Sequence, residues 1–301
     1  MSLVSIGIPC YNSEAYIEET LNSICRQTYS ELELIIIDDA SLDATFEIIQ
    51  RWATGKKWVK NFKNESNLGL VKTVNRIVSN CNGEYIQLLG HDDILLENKI
   101  RNQVNAFMKL PSNVGMIYSN VSVIDEKGII IEPDYLRYHG YDSESMNFND
   151  VTGELLSFNF IPSISVLLKR SALEKTGNYD ESLDFEDLDM WLRISILFQI
   201  AYLPEITALY RRNKNSLMHD PVKRINIYAS LLRCREKYRG IKPEWDKIIN
   251  KGIIQMAPTL YRYRHSSGKK WLTKRLKYDK HFKSWAYWLL SKFNSRIIWG
   301  K

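Results

Sequence analysis

Between Val4 and Leu89, short apolar runs alternate with stretches of helical periodicity, and this alternation leaves few folds open. Val4 to Pro9, Leu32 to Ile37 and Tyr85 to Leu89 read as strands, with a shorter one near Val59 to Phe62. Behind Asn12 and Ser13, either able to cap a helix, Ile17, Leu21 and Ile24 recur at i, i+4 and i+7. Ser41 and Asp43 open a second helix through Phe46, Ile49 and Trp52, and Asn67-Leu68-Gly69 turns into a third bearing Val71, Val74 and Val78. A βαβαβ order of this kind demands a mostly parallel sheet with helices on both faces. With 301 residues, 45% of them hydrophobic, the chain can bury a sizeable core in one large or two modest domains.

Further along, a helix is expected near Glu97 to Leu110, a strand at Val114 to Ser119 and a hairpin at Asp125-Glu126-Lys127-Gly128. Residues 133 to 160 show no period, and a loop that long inside a compact domain is usually functional. A strand resumes at Ser163 to Lys169, Gly177 marks a turn, and a helix opens at Glu186 and Asp187. Past Pro204 the alternation is expected to stop. The predicted organisation is an α/β domain over 1–215 and a helical, basic region over 216–301.

Residues 251 to 301 hold 13 Lys and Arg against the single acid Asp279, a formal +12, so in a chain of net +6 the first 250 residues sum to −6. A basic tail on an acidic body points to an anionic partner. The four cysteines, Cys10, Cys25, Cys81 and Cys234, include no C-x-x-C pair and are expected to be reduced core residues. Apolar runs fall well short of the ~18 residues of a membrane span, and residues 1 to 30 lack a signal-peptide pattern. A cytoplasmic location is expected, with peripheral attachment at the inner face of the plasma membrane as an option.

Acidic pairs recur where strands end or helices begin: Asp38-Asp39, Asp92-Asp93 and Glu186-Asp187. Ligands of open α/β sheets bind beyond the carboxyl ends of the strands, so these pairs suggest a nucleotide, a metal or both.

Pro9-Cys10-Tyr11-Asn12, the stretch Asp38-Asp39-Ala40-Ser41-Leu42-Asp43, Asn67-Leu68-Gly69, Gly83-Glu84-Tyr85-Ile86 leading to Asp92-Asp93, and Gly177-Asn178-Tyr179-Asp180-Glu181 leading to Glu186-Asp187 together resemble family 2 glycosyltransferases. The resemblance covers roughly residues 4 to 215 and implies a GT-A fold, a nucleotide-sugar donor, a divalent cation (Mn²⁺ or Mg²⁺) and inversion at the anomeric carbon. By the same resemblance Asp93 coordinates the cation, Asp92 contacts the ribose or donor sugar, and Asp39 accepts the ring N–H of uracil or thymine between Pro9, Tyr11 and Asn12. A carboxylate reading that N–H rejects cytosine, which lacks the donor. Many relatives read Asp-x-Asp-Asp where this chain has Gly90-His91-Asp92-Asp93. Asp38 either joins the nucleotide site or braces the turn after it. Asn67, Lys72 and Asn75 reach toward diphosphate or ribose, or lie on a solvated helix face.

Inversion by direct displacement needs a base for the acceptor hydroxyl, and Asp187 matches the family's base, with Glu186 orienting acceptor hydroxyls. Trp191 and Arg193 read as packing and bracing residues. Tyr210-Arg211-Arg212-Asn213 stands where relatives often read Tyr-Arg-x-His, and His219 is a further candidate for a metal or phosphate contact. The Gln-x-x-Arg-Trp motif of processive synthases is absent after Asp187, so one sugar per encounter is expected. The acceptor expected is a glycan or a lipid-linked acceptor of surface polysaccharide synthesis.

In the tail, Trp271, Trp285, Trp288 and Trp299 stand among basic residues, and Phe282, Trp285 and Leu289 recur with Lys280, Lys283 and Lys292 interleaved. That suits the headgroups of an anionic bilayer, while a hairpin packing its tryptophans inward fits equally. No nucleic-acid motif accompanies it. Two other functions stay open: a non-catalytic nucleotide-sugar-binding or membrane scaffold protein, and a sugar nucleotidyltransferase, although the Gly-rich signature of the latter is missing after Pro9.

Overall fold

The computed structural model describes residues 1–141, 151–213, 221–279 and 281–292. The expected alternation appears as β1 (Val4–Cys10), α1 (Ile17–Cys25), β2 (Leu32–Asp38), α2 (Thr45–Ala53), β3 (Val59–Lys63), α3 (Leu70–Asn80) and β4 (Tyr85–Leu88). It continues through β5 (Ile94–Leu95), α4 (Lys99–Lys109), β6 (Val114–Ile124), β7 (Ile130–Glu132), α5 (Tyr135–Tyr138), α6 (Thr152–Ser157), β8 (Leu167–Lys169), α7 (Arg170–Thr176), α8 (Asp187–Leu197) and β9 (Gln199–Arg211). The strands form one sheet in the order β3-β2-β1-β4-β8-β6-β9-β5, with β7 paired to β6. β1 runs parallel to β2 and β4, β2 to β3, and β6 to β9. β8 is antiparallel to both β4 and β6.

β1 and β2 read as unbroken apolar runs because both their faces are covered. Ile6, Ile8, Leu34 and Ile36 pack in one core with Ile17, Leu21 and Ile24 of α1. On the other face α3 lies over β1, and at Gly7 it comes so close that an added Cβ would fall within contact distance of Ile77 Cγ2. From β1 the chain steps outward to β2 and β3, then returns past β1 to β4. The strand order therefore reverses between β1 and β4, and the crevice beyond their carboxyl ends is where such a sheet binds a ligand.

Several boundaries differ from expectation. α1 begins only at Ile17, because the Ser13 carbonyl accepts the Tyr16 and Ile17 N–H groups and no side chain caps the helix. Residues 163–165 form a helical turn, so β8 starts at Leu167. The alternation also does not stop at Pro204, which lies inside β9. Beside it the register with β6 jumps from Ser119↔Leu203 to Asn120↔Ile206, an irregularity that spares the missing proline N–H. Cys10, Cys81 and Cys234 are buried as expected, whereas Cys25 is exposed at the end of α1.

The chain divides into two compact units. The first comprises 1–155, 159–181 and 186–213; the second comprises 156–158, 182–185 and 214–301. The second contains α9 (Pro221–Glu236), α10 (Pro243–Arg262), α11 (Gly268–Tyr278) and α12 (Phe282–Lys292). Its core gathers Trp245, Ile249, Ile253, Leu260, Trp271 and Leu272. Asp279 locks the α11–α12 junction, accepting from Arg275 at 2.9 Å and from Ser284 at 2.5 Å. Those bonds, Ser284 first, pull its carboxyl down to about 2. Trp271 is thus inward while Trp285 is 49% and Leu289 47% exposed. Lys280 and Trp299 lie outside the described residues, as does the expected boundary at 215. Among the described residues no helix is long and apolar enough to cross a membrane.

Gly7→Ala should overpack the β1–α3 contact and cost about 1–3 kcal/mol, read as a lower Tm by calorimetry. An unchanged Tm would show that α3 yields freely there.

Candidate active site

Three turns converge at the crevice, each set by side-chain hydrogen bonds to backbone. The first follows β2. Asp38 is fully buried: its Oδ2 accepts the Ser41 N–H at 3.1 Å and its Oδ1 the Ser41 hydroxyl, with Lys63 Nζ at 3.7 Å. These bonds spend the carboxylate on its own turn, the bracing alternative of the sequence reading. Asp39, 4% exposed, holds the turn that opens α3. Its Oδ1 accepts from Asn64 Nδ2 at 2.7 Å and from the Leu68 N–H at 2.8 Å, and its Oδ2 from the Gly69 N–H at 2.8 Å. Three of about four lone pairs are occupied, leaving one on Oδ2. Gly69 has φ +86, a backbone conformation that disfavours a side chain.

Around this turn Pro9 is half-buried, and Tyr11 (40% exposed), Asn12, Asn67 and Lys72 face solvent. Asn12, at φ +48, latches the two loops together: its N–H donates to Ser41 Oγ and its Oδ1 accepts the Leu42 N–H, both at 2.9 Å. Asn75 reaches no ligand space. Its amide exchanges hydrogen bonds with the Tyr179 backbone at 2.9 and 3.0 Å, and it donates to Glu181 at 2.9 Å.

The second turn follows β4 and carries Asp92 and Asp93. Asp93 is 5% exposed; its Oδ1 accepts the Arg211 N–H at 2.9 Å, and burial followed by the Asp92 charge lifts its carboxyl well above the usual range. A cation bound through Oδ1 would have to displace that hydrogen bond. Asp92 is the more open carboxylate, with Asn213 Nδ2 at 2.7 Å from its Oδ2. Among the described residues no group of three or more His, Cys, Asp or Glu side chains can hold a metal. Yet Asn213 Oδ1 and His91 Nδ1 are buried without hydrogen-bond partners, one beside Asp92 and the other preceding it. Amide rotation would turn the Asn213 oxygen toward the same space. One carboxylate and one amide oxygen fit a Mg²⁺ or Mn²⁺ that takes the rest of its shell from phosphate and water; they do not fit an all-protein site.

The third turn opens α8. Asp187 is its first residue; Oδ2 accepts from Asn159 Nδ2 and Oδ1 from the Leu188 N–H, both at 2.6 Å. Burial raises the Asp187 carboxyl despite these bonds. Glu186 is pushed up to about 8, by burial first and then by the Asp187 charge. Near neutral pH the pair therefore holds fewer than two negative charges and titrates as a unit. Asp189 is buried and paired with Arg193 at 2.9 Å, while Arg193 also holds the Thr176 carbonyl at 2.8 Å. Trp191 is buried, so both residues pack and brace.

Aromatic side chains join the last two turns: Tyr210 feels the charges of Asp93 and Asp92 and lies near Tyr135, which in turn feels Asp187. Asn64, Asn159 and Arg211 escaped sequence reasoning. Asn64 had a usable signal, a polar residue at the carboxyl end of a parallel strand; Asn159 had none beyond its place in a long irregular segment. His219 lies outside the described residues.

With this geometry in place, comparison with known proteins is decisive about class. A family model described as Glycosyl transferase family 2 matches residues 5–176, and the chain belongs to that family. An uncharacterized glycosyltransferase of Rickettsia typhi is 28% identical over 233 residues, 76% of this chain and 70% of its own length. One from Methanocaldococcus jannaschii is 27% identical over 247 residues, 81% and 79% of the two chains. Among solved structures, S. aureus TarS 1–349 in complex with UDP-GlcNAc superposes with a TM-score of 0.65 at 17% identity, covering 95% of this chain and 78% of that one. The mannosyltransferase PcManGT from Pyrobaculum calidifontis, in complex with GDP-Man and Mn²⁺, gives 0.64 at 17% identity over 97% and 79%. The fold is GT-A.

Proposed function

We propose that this chain transfers one sugar from a UDP- or dTDP-sugar to a hydroxyl of a glycan or lipid-linked acceptor, inverting the anomeric centre, with Mn²⁺ or Mg²⁺. The observation that carries the reading is the convergence on one crevice of a base-reading turn at Asp39, an open carboxylate–amide pair at Asp92 and Asn213, and a raised carboxylate pair at Glu186 and Asp187. The neighbours crystallised with UDP-GlcNAc and with GDP-Man and Mn²⁺ support the donor class and the cation.

In this mechanism the remaining lone pair of Asp39 Oδ2 accepts the pyrimidine ring N–H, and Pro9, Tyr11 and Asn12 wall the base. Asn67 and Lys72, exposed at the start of α3, face the diphosphate. Asp92, with Asn213, would hold the cation, and Asp93 braces the turn through the Arg211 N–H. A bound divalent cation would offset the negative charge that grows on the leaving diphosphate. Asp187 takes the acceptor hydroxyl proton; its raised pKa suits a base working near neutral pH. Asn159 keeps Oδ2 aimed, and Glu186 orients the acceptor.

Isothermal calorimetry with UDP, in Mn²⁺ and in EDTA, separates the two acids. Asp92→Asn should abolish the Mn²⁺-dependent gain in affinity with Tm unchanged, whereas Asp93→Asn should chiefly alter Tm. Equal UDP affinity for the parent and Asp92→Asn proteins in both media removes Asp92 from the site.

Asp187→Asn should cut kcat by ~10²- to 10⁴-fold with UDP affinity unchanged. Because the active form of a base is deprotonated, the rate of the parent should fall as pH drops through the raised range of the Glu186–Asp187 pair, and rise toward a plateau above about 8. A pH-independent rate between 6 and 9 (roughly one unit or more either side of neutrality) argues against this base.

We further propose that the helical unit docks on anionic bilayers. Trp285 and Trp288 meet edge to face at 5.8 Å, and Trp285 and Leu289 are about half exposed on the short helix α12. Each Lys or Arg near such a surface adds about 1 kcal/mol. Sedimentation with phosphatidylglycerol vesicles should show binding that Trp285→Ala with Trp288→Ala removes without loss of fold. A parent that ignores these vesicles makes the helices purely structural.

A further inference from the structure

Glu132, the last residue of β7, is 5% exposed and pairs through Oε1 with Arg212 at 2.5 Å. Its other oxygen, Oε2, is buried with no hydrogen-bond partner. A buried carboxylate oxygen without a donor is costly, so a hydroxyl that reaches it on binding gains a charged hydrogen bond that the free protein lacks.

The surroundings say what kind. Arg212 precedes Asn213, whose amide meets Asp92. Its guanidinium side chain is 37% exposed, so N–H groups not bonded to Glu132 face outward. Tyr135 opens α5 with its ring 4.4 Å from that of His139, and Tyr138 is 67% exposed on the same turn. The Tyr135 phenol is pushed up to about 12 by burial and then by the Asp187 charge, with Arg212 and Glu132 also acting on it. It therefore lies near both Asp187 and the ion pair. Burial holds the His139 imidazole below its usual range, which leaves it neutral at pH 7. Asp134 fixes the segment, accepting the Arg137 N–H at 2.9 Å and the Asn120 amide at 2.5 Å.

A carboxylate oxygen and guanidinium donors held side by side carry no net charge together. They match two adjacent hydroxyls, one donating to Oε2 and the other accepting from Arg212. A phosphate finds the same guanidinium but meets the Glu132 charge. We propose that Glu132 and Arg212 form the acceptor subsite and read two adjacent hydroxyls of a neutral sugar, with Tyr135 and Tyr138 offering aromatic faces to its ring. This rests on the glycosyltransferase reading and deepens it by naming the acceptor's chemistry.

The test uses the full chain with UDP and Mn²⁺ and follows saturation transfer in NMR to methyl glucoside, methyl galactoside and methyl mannoside, with methyl phosphate as the anionic probe. At least one glycoside should bind, and removing one hydroxyl of its contacted pair as the deoxy analogue should weaken it. Glu132→Gln and Arg212→Gln should each raise the dissociation constant roughly tenfold or more, the range of a charged hydrogen bond, with UDP affinity unchanged. Arg212 is half exposed, so its variant tests the idea even if Glu132→Gln unfolds. Equal glycoside binding by parent and Arg212→Gln, no glycoside binding by a parent that binds UDP, or Arg212-dependent capture of methyl phosphate in preference to every glycoside overturns the proposal. A parent that fails to bind UDP overturns the donor reading instead.

Discussion

The crevice depends on the buried guanidinium of Arg211. It is 3% exposed, and its Nε donates to the Asp92 carbonyl at 2.9 Å, its Nη1 to the Asp125 carbonyl at 3.1 Å and its Nη2 to Glu19 at 2.6 Å, while the group lies 4.8 Å above the Tyr16 ring. Its own N–H holds Asp93. One side chain at the end of β9 thus ties down the β4–β5 turn, the β6–β7 hairpin and α1. Breaking a buried, multiply bonded charge costs about 3–5 kcal/mol because the partners are left unpaired. A planar fork of five donors can do this and a lysine cannot. The bulge at Pro204 belongs to the same device, since it changes the β9 register so that Arg211 pairs beside Ile124.

The N-terminal half of the fold was legible because its strands are buried on both faces and its helices carry one apolar stripe. Residues such as Ile6, Ile35 and Leu21 therefore report their own location. β9 was not legible. Proline normally ends a strand, and only the register of β6, far away in sequence, reveals that the ladder skips two residues at Pro204. The candidate site divides the same way. Acidic pairs at strand ends were visible as a pattern, but which acid of each pair faces the crevice depends on partners distant in sequence. Asp38 is turned inward by Ser41, Asp93 by Arg211, and Asp187 is aimed by Asn159. Asp92 is the more open of its pair and Asp93 is buried, and two identical residues give no local sign of which is which.

The same logic assigns different chemistry to similar carboxyl groups. Asp39 accepts from two backbone N–H groups and an amide, which leaves one lone pair for a ligand donor. Asp187 also accepts two hydrogen bonds, yet burial wins and its carboxyl is raised. Glu186 at its side is raised as well, by burial first and then by the Asp187 charge. The raised carboxyl pair at the start of α8 suits an acceptor deprotonation, and the unfilled lone pair of Asp39 suits a base-reading contact.

The departure at Gly90 follows from this packing. Relatives that carry Asp-x-Asp-Asp place a side chain there, but in this chain a Cβ at Gly90 would meet Asp93 Oδ2 at 2.6 Å and Asp92 Oδ1 at 3.3 Å. The space a first acid would take is filled by the carboxyl groups of the other two, Asp93 held by the Arg211 N–H and Asp92 by the Asn213 amide. Gly90 and the inward Asp93 are therefore two sides of one arrangement. An aspartate restored at position 90 would have to push Asp93 off the Arg211 N–H before it could contribute an oxygen of its own. The missing acid is better understood as a different solution for the turn than as a lost ligand, and it explains why a single accessible carboxylate, Asp92, meets the amide of Asn213 at the mouth of the crevice.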